Sequence, residues 1–198
     1  LAAAERLGMR QAYDSVDELI ADPNVDIVHV CSPNATHAAY ATAALEAGKH
    51  VVCEKPLATS GNDAQALADL ARSTGLTATV PFVYRYHPMV REARARVARG
   101  DLGTLFTVRG SYLQDWLLAP TDDNWRVNPV AGGPSRAFAD IGSHLCDLIE
   151  FVTADRIERL VATKRTVFPE RSNNREVQTE DTVAIVAEFA GGAIGTLL

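Results

Sequence analysis

Cysteine is scarce. The 198-residue chain carries three, Cys31, Cys53 and Cys146. An odd count in apolar contexts, with no Cys-x-x-Cys spacing, argues against a disulfide scaffold, a dithiol redox pair and a zinc site. Three buried thiols in a reducing compartment are expected, with the cytoplasm as the location. No apolar run approaches the ~18 residues that suggest a membrane span. The opening "LAAAERLG" has neither the basic start nor the apolar core of a leader, so no membrane is expected as a partner. Basic charge is in deficit: 19 Lys and Arg stand against 25 Asp and Glu, a net −6. That leaves no electrostatic footprint for nucleic acid. No metal site is expected, because His29 and His50 adjoin strand-like runs and read as core or edge residues. A 47% hydrophobic and 22% charged composition is ordinary for a globular protein.

The first part of the chain alternates in type. "LAAAERLG" reads as the tail of a helix stopped at Gly8. "SVDELIAD" is a short helix, with Ser15 and Glu18 at capping-box spacing and Pro23 beyond its end. Val25–Cys31 ("VDIVHVC") is a near-continuous apolar run, as in a strand covered on both faces. An alanine-rich helix stops at Gly48, and "VVC" (Val51–Cys53) is the next strand. Ser60 and Gly75 bracket another helix, and Thr77–Phe82 is a third strand. Strand, helix, strand, helix, strand with short loops predicts a parallel, doubly wound α/β sheet.

After about Tyr84 the rhythm changes. A helix carries Arg91, Arg94, Arg96 and Arg99, read as a solvated face. A long strand "TLFTVRGSYLQDW" and a Pro/Gly/Asp-rich loop from Ala119 to Arg136 follow. "DIGSHLCDLIEFVTA" reads as a helix. "RIERLVATKRTVF" and "TVAIVAEFAGGAIGTLL" read as strands, the latter a pair joined at Gly191-Gly192. The polar stretch Pro169–Glu180 is expected to be a mobile loop. Residues 1–84 are therefore expected to form one domain, and 85–198 a second, α+β domain with an open, mainly antiparallel sheet.

A dinucleotide-binding sheet normally opens with strand, G-x-G-x-x-G and helix. No G-x-G-x-x-G occurs in this chain. The expectation is a chain that starts within the helix after the second strand of such a sheet and stops in mid-strand, so that both domains are incomplete.

Three stretches carry the chemistry. "CSPNATH" (Cys31–His37) leaves one strand and opens a helix. "EKP" (Glu54–Pro56) leaves the next. "DIGSH" (Asp140–His144) lies on the second-domain helix. With "YRYHP" (Tyr84–Pro88) and "NWR" (Asn124–Arg126), their order and spacing resemble the glucose–fructose oxidoreductase, inositol dehydrogenase and rhizopine-catabolism (Gfo/Idh/MocA) family. The resemblance covers nearly the whole chain, and "AGKHVVCEKPLA" is its most specific part.

The resemblance implies a Rossmann-type domain followed by a substrate-binding domain, whose sheet forms a homo-oligomer interface in dimers or tetramers. It implies transfer of hydride between a secondary hydroxyl of a sugar, glycoside or cyclitol and NAD or NADP. Asp140 and His144 are four apart, hence on one face of a predicted helix. Histidine titrates near neutrality and suits the base that takes the hydroxyl proton. Asp140 either orients it or bonds the substrate. Without the resemblance the pair reads first as an exposed i,i+4 polar couple.

Lys55 closes a strand, at the sheet end where ligands bind. By resemblance it is catalytic and contacts substrate, its ammonium stabilising a developing alkoxide. Pro56 fixes the turn that aims it. Glu54 would accept hydrogen bonds from the nicotinamide ribose. Ser32, Pro33, Asn34 and His37 would lie against the cofactor, with Asn34 also readable as a helix cap. Arg85 would lie near the nicotinamide and Arg126 near the cofactor phosphates. Trp116 and Trp125 read either as walls of a sugar pocket or as core packing. Two alternatives stand beside the dehydrogenase. One is a redox-assisted glycoside hydrolase that keeps its NAD bound, and the other is a non-catalytic sugar-binding relative.

Overall fold

The computed structural model describes residues 2–198. Residues up to Val80 form one compact unit and Pro81–Leu198 a second.

In the first unit, α1 (Ala2–Arg6) ends at Gly8, whose positive φ of 65° lets its N–H reach Glu5 O. Ser15 caps α2 (Val16–Ala21), its Oγ accepting from Glu18 N at 3.1 Å. Glu18 reaches back to Asp14 N, one residue short of the cap itself. Strands β1 (Ile27–Val30), β2 (His50–Cys53) and β3 (Ala78–Thr79) form a parallel sheet in that order. Helix α3 (His37–Glu46) crosses from β1 to β2, and α4 (Gly61–Thr74) from β2 to β3. Ser60 caps α4 and left-handed Gly75 closes it.

Val28, Val30, Val51 and Cys53 turn to one face, where Ile20, Ala41, Ala44, Leu45 and Leu67 from the three helices close over them. Each such Val or Leu contributes about 1.5–3 kcal/mol on burial. The alanines of α3 let it lie close to the strands. β1 is not covered on both faces as its run of apolar residues predicts: Ile27 and His29 are exposed and alternate with buried Val28 and Val30. The histidine between two valines marks the open side. β3 is shorter than its sequence run because Pro81 follows closely and has no N–H to give a ladder.

The second unit is a four-stranded mixed sheet. Its strands are β4 (Thr107–Gly110), β5 (Ile157–Arg165), β6 (Thr182–Phe189) and β7 (Ile194–Leu197), in the order β4-β7-β6-β5. The β5/β6 and β6/β7 pairs are antiparallel and β4/β7 is parallel. Helices α5 (Pro88–Ala98), α6 (Pro129–Gly132) and α7 (Ser143–Thr153) complete the unit. Leu145 and Ile149 of α7 pack on Ile185, Ala187, Phe189, Ala193 and Leu197. Gly110 is bare because a Cβ there would stand 2.8 Å from Leu145 Cδ1. The long strand expected from Thr104 to Trp116 is regular over only four residues.

Two further expectations change. Arg94 is not simply solvated: it donates to Phe151 O and its guanidinium stacks on the Phe151 ring at 4.5 Å. The stretch Pro169–Glu180 is anchored rather than loose. Arg171 is buried and donates to the carbonyls of Leu117, Ala119 and Asp122 and to Asp181 Oδ1. A single buried arginine thus ties this segment to the Ala119–Arg136 loop, and Leu117, Val127 and Val177 form a small core beneath them.

Candidate active site

In the first unit, the carboxyl ends of β1 and β2 lie side by side, with Val30 opposite Cys53. Glu54 N extends the ladder to Val30 O at 2.9 Å. The two polar turns therefore leave neighbouring strands at the same level. After β1, Ser32 Oγ and Thr36 Oγ1 are 2.6 Å apart, and Thr36 N bonds Pro33 O to form a single 3₁₀ turn over Asn34–Thr36. Pro33, not Asn34, occupies the cap position of that turn, and Asn34 is buried within it. After β2, the Lys55–Pro56 peptide is cis, and Glu54 Oε2 accepts from Lys55 N at 3.2 Å. Cys53 lies behind them, its thiol pushed up to about 12 by burial, with Glu54 and Cys31 adding to the effect.

His37 is 1% exposed. Its Nδ1 lies 2.7 Å from Pro56 O and its Nε2 2.9 Å from Ser32 O. Both partners are carbonyl oxygens, so whichever ring nitrogen carries the proton donates, and the tautomer decides which carbonyl receives it.

In the second unit, the segment holding Asp140 is not α-helical. Phe138–Gly142 forms a π-helical turn, closed by Ser143 N on Phe138 O, and α7 begins at Ser143. Its entry is fixed by Glu180, a buried carboxylate that accepts from Ser135 Oγ at 2.7 Å, Phe138 N at 3.0 Å and Arg136 N at 3.1 Å. An anion at a helical N-terminus satisfies N–H groups that otherwise lack partners.

Asp140 Oδ1 lies 3.5 Å from Arg126 Nε. Arg126 in turn stacks on Trp125 at 4.5 Å. Asn124 caps their short 3₁₀ turn, accepting from Arg126 N. Asp140, Arg126 and Trp125 are thus one group. Trp116 and Asp140, with Tyr112 and Gln114, line a cavity of about 320 Å³.

His144, buried at the start of α7, sits in an aromatic cage. Tyr84, Phe82 and Tyr112 surround it at ring-centre distances of 5.0, 5.7 and 6.3 Å. The Tyr84 and Tyr112 hydroxyls are 2.5 Å apart, and Gln114 Nε2 donates to Tyr112 at 3.2 Å. The Tyr84 hydroxyl is raised above its ordinary value, first by that hydrogen bond and then by burial.

Arg85 is committed elsewhere. Its Nε and Nη2 donate to the Asp147 carboxylate, and Phe82 and Phe151 flank it at 5.8 and 5.3 Å. Sequence reasoning missed Phe82, Tyr112 and Gln114, whose meeting depends on long-range packing. It also gave His87 no role, yet its Nδ1 caps α5 by accepting from Met89 N. Pro88 at the first helical position was the available signal.

Parallel strand ends that carry paired polar turns define the nucleotide-binding class of α/β proteins. Residues 1–82 match the oxidoreductase family with an NAD-binding Rossmann fold, and residues 90–198 match the GFO/IDH/MocA C-terminal domain. The chain belongs to the Gfo/Idh/MocA oxidoreductase family. It is 32% identical over 213 residues to a levoglucosan dehydrogenase of Pseudarthrobacter phenanthrenivorans, covering 98% of this chain and 54% of that protein. The crystal structure of an oxidoreductase domain protein from Kribbella flavida superposes with a TM-score of 0.94 at 39% identity, covering 99% of this chain and 54% of that one. A levoglucosan dehydrogenase structure in complex with NADH and levoglucosan gives 0.94 at 34% identity, covering 99% and 53%. The chain thus spans about half the length of the relatives it matches.

Proposed function

We propose that the protein is a nicotinamide-dependent oxidoreductase acting on a secondary hydroxyl of a sugar, glycoside or cyclitol. The observation that carries the reading is the group built around the π-helical turn. Asp140 beside Arg126 and Trp125, followed four residues on by the caged His144, joins a base, a carboxylate and an aromatic face. Family membership supplies the reaction class.

The residues at the ends of β1 and β2 fit a dinucleotide. Glu54 offers a carboxylate, which suits ribose hydroxyls, and the Ser32–Asn34 turn offers backbone and side-chain polar groups ahead of α3. When bound, the nicotinamide supplies the two-electron acceptor or donor. The chain's own residues do the rest. His144 takes the hydroxyl proton on oxidation and returns it on reduction. Its aromatic neighbours exclude water and fix the ring plane. Asp140, with Arg126 beside it, binds substrate hydroxyls or orients the base. Lys55 opposes the negative charge that develops on the substrate oxygen. Trp125 offers a face to sugar C–H groups. Homo-oligomerisation through the second-domain sheet belongs to the same proposal.

The test is substrate-dependent absorbance of reduced nicotinamide, with NAD+ and NADP+ assayed separately across glycosides, anhydrosugars and inositols. His144→Ala should lower kcat by about 10²–10⁴-fold, the usual share of a positioned base. A full rate in His144→Ala or Lys55→Ala would remove the matching role. Glycoside consumption without net reduced nicotinamide would replace the dehydrogenase by the redox-assisted hydrolase.

A further inference from the structure

We infer that His37 is a positioning residue that straps together the two polar turns on which nucleotide binding and Lys55 depend. The inference rests on the proposed function for the roles of those turns, but not for the strap itself.

The argument begins with burial. A histidine that is 1% exposed, at the first position of α3, presents no nitrogen to solvent or to a ligand. The expectation that His37 touches the cofactor therefore gives way to an indirect role. Its two nitrogens reach two different turns: Ser32 O, five residues earlier at the exit of β1, and Pro56 O, nineteen residues later at the exit of β2.

No β-ladder bond can connect these segments. Regular pairing between β1 and β2 ends with Val30 opposite Cys53, and Glu54 N to Val30 O is the last backbone bond in that direction. Beyond it the chains diverge into turns that have no register to hold them. The imidazole spans this gap. It sets a buried ring nitrogen 2.7 Å from Pro56 O and another 2.9 Å from Ser32 O, and donates to one of them from within the core. Pro56 immediately follows Lys55, so the strap fixes the far end of the Lys55 peptide, while Glu54 N fixes the near end. The backbone from which the Lys55 side chain departs is thus held on both sides.

Few other residue types suit the position. Asn is too short to reach two turns at once, and Gln carries its donors on a single nitrogen. Leu would fill the space and offer neither carbonyl a polar partner.

The test pairs His37→Ala with Leu45→Ala, a core truncation in the same helix that leaves both turns alone. Amide hydrogen exchange is read without any ligand. In His37→Ala, exchange should accelerate at Asn34 and Ala35 and at Lys55 and Leu57 together, while Val28 and Val51 stay protected. Leu45→Ala should not single out those turns. NADH affinity is read on the same proteins by fluorescence. His37→Ala should bind about tenfold more weakly, as loss of ~1.4 kcal/mol of positioning gives, and Leu45→Ala should bind as the parent does. Unchanged exchange at the two turns in His37→Ala overturns the strap, as does an equal acceleration in Leu45→Ala. Should the unaltered protein bind no NADH, the proposed function falls, and the strap is judged on exchange alone.

Discussion

Replacing Arg171 by Met should cost the protein about 3–5 kcal/mol, the range for breaking a buried ion pair from one side. The side chain of Arg171 is 0% exposed and that of Asp181 9%. The guanidinium lies 2.8 Å from Asp181 Oδ1, donates to three carbonyls at 3.0–3.2 Å and stacks on Phe168 at 5.0 Å. Methionine keeps much of the volume and none of the donors. Leu117 O, Ala119 O and Asp122 O lose their buried partner, and Asp181 keeps only Arg136 and two backbone N–H groups. At roughly 2–4 °C per kcal/mol for a chain of this size, the melting temperature should fall by about 6–20 °C.

Acid adds a second arm. Burial disfavours the charged Asp181, but the N–H groups of Phe168 and Val167 and the guanidinium groups of Arg171 and Arg136 outweigh it and hold the carboxyl below its ordinary value. The folded state therefore binds this proton more weakly than the unfolded chain does. The stabilisation is full above about pH 4, the unfolded value, and disappears as pH falls through the folded value. Asp181→Asn should remove that part of the acid dependence. Thermal melts at pH 7 and urea melts between pH 4 and 2 measure the two effects. An Arg171→Met melt within about 1 °C of the parent, or an Asp181→Asn acid limb identical to it, would refute the reasoning.

Two other outcomes are expected. Burial pushes the thiols of Cys53 and Cys146 up to about 12 and about 11, whereas Cys31 is exposed. A thiol reagent at pH 8 should therefore label Cys31 alone in the native protein and all three in denaturant; rapid native labelling at Cys53 would contradict the packing. Gly132→Ala would set a Cβ 2.5 Å from the backbone oxygen of Arg126, so the turn bearing Trp125 and Arg126 must shift. A loss of ~1–3 kcal/mol and a raised KM for substrate should follow, and a denaturant melt that overlays the parent's would count against it.

Elements with local signatures were legible in the sequence. Ser15 and Ser60 announced their helices, Gly75 ended one, and Gly191-Gly192 made the β6–β7 turn, because caps and turns depend on a few neighbouring residues. The alternation on β1 was not read, because the apolar run around His29 suggested a strand covered on both faces. What could not be read were meetings across distance. Nothing in "QDW" or "YRY" shows that Gln114, Tyr112 and Tyr84 converge beside His144. Nothing in "PERSNN" shows that Arg171 is a buried charge. The grouping of Asp140, Arg126 and Trp125 follows from the fold of the Ala119–Arg136 loop, and composition alone read that loop as irregular.

Spacing on the helix was read as though 3.6 residues per turn ran through Asp140 and His144, but the chain widens there by one residue. An α-helix turns ~100° per residue, so a wide turn amounts to one extra residue spliced into a helix that would otherwise run straight. The facing of the carboxylate and the imidazole is then set by the count of residues between them and the ends of the segment, as well as by their identity. Deleting Ala139 would leave every proposed catalytic side chain in the sequence and restore an ordinary helix. It would also swing everything before it, Phe138 and the Glu180-bound entry included, by about a quarter turn relative to His144. A reading frame for side chains is thereby written into the backbone, and it can be lost without substituting a single functional residue.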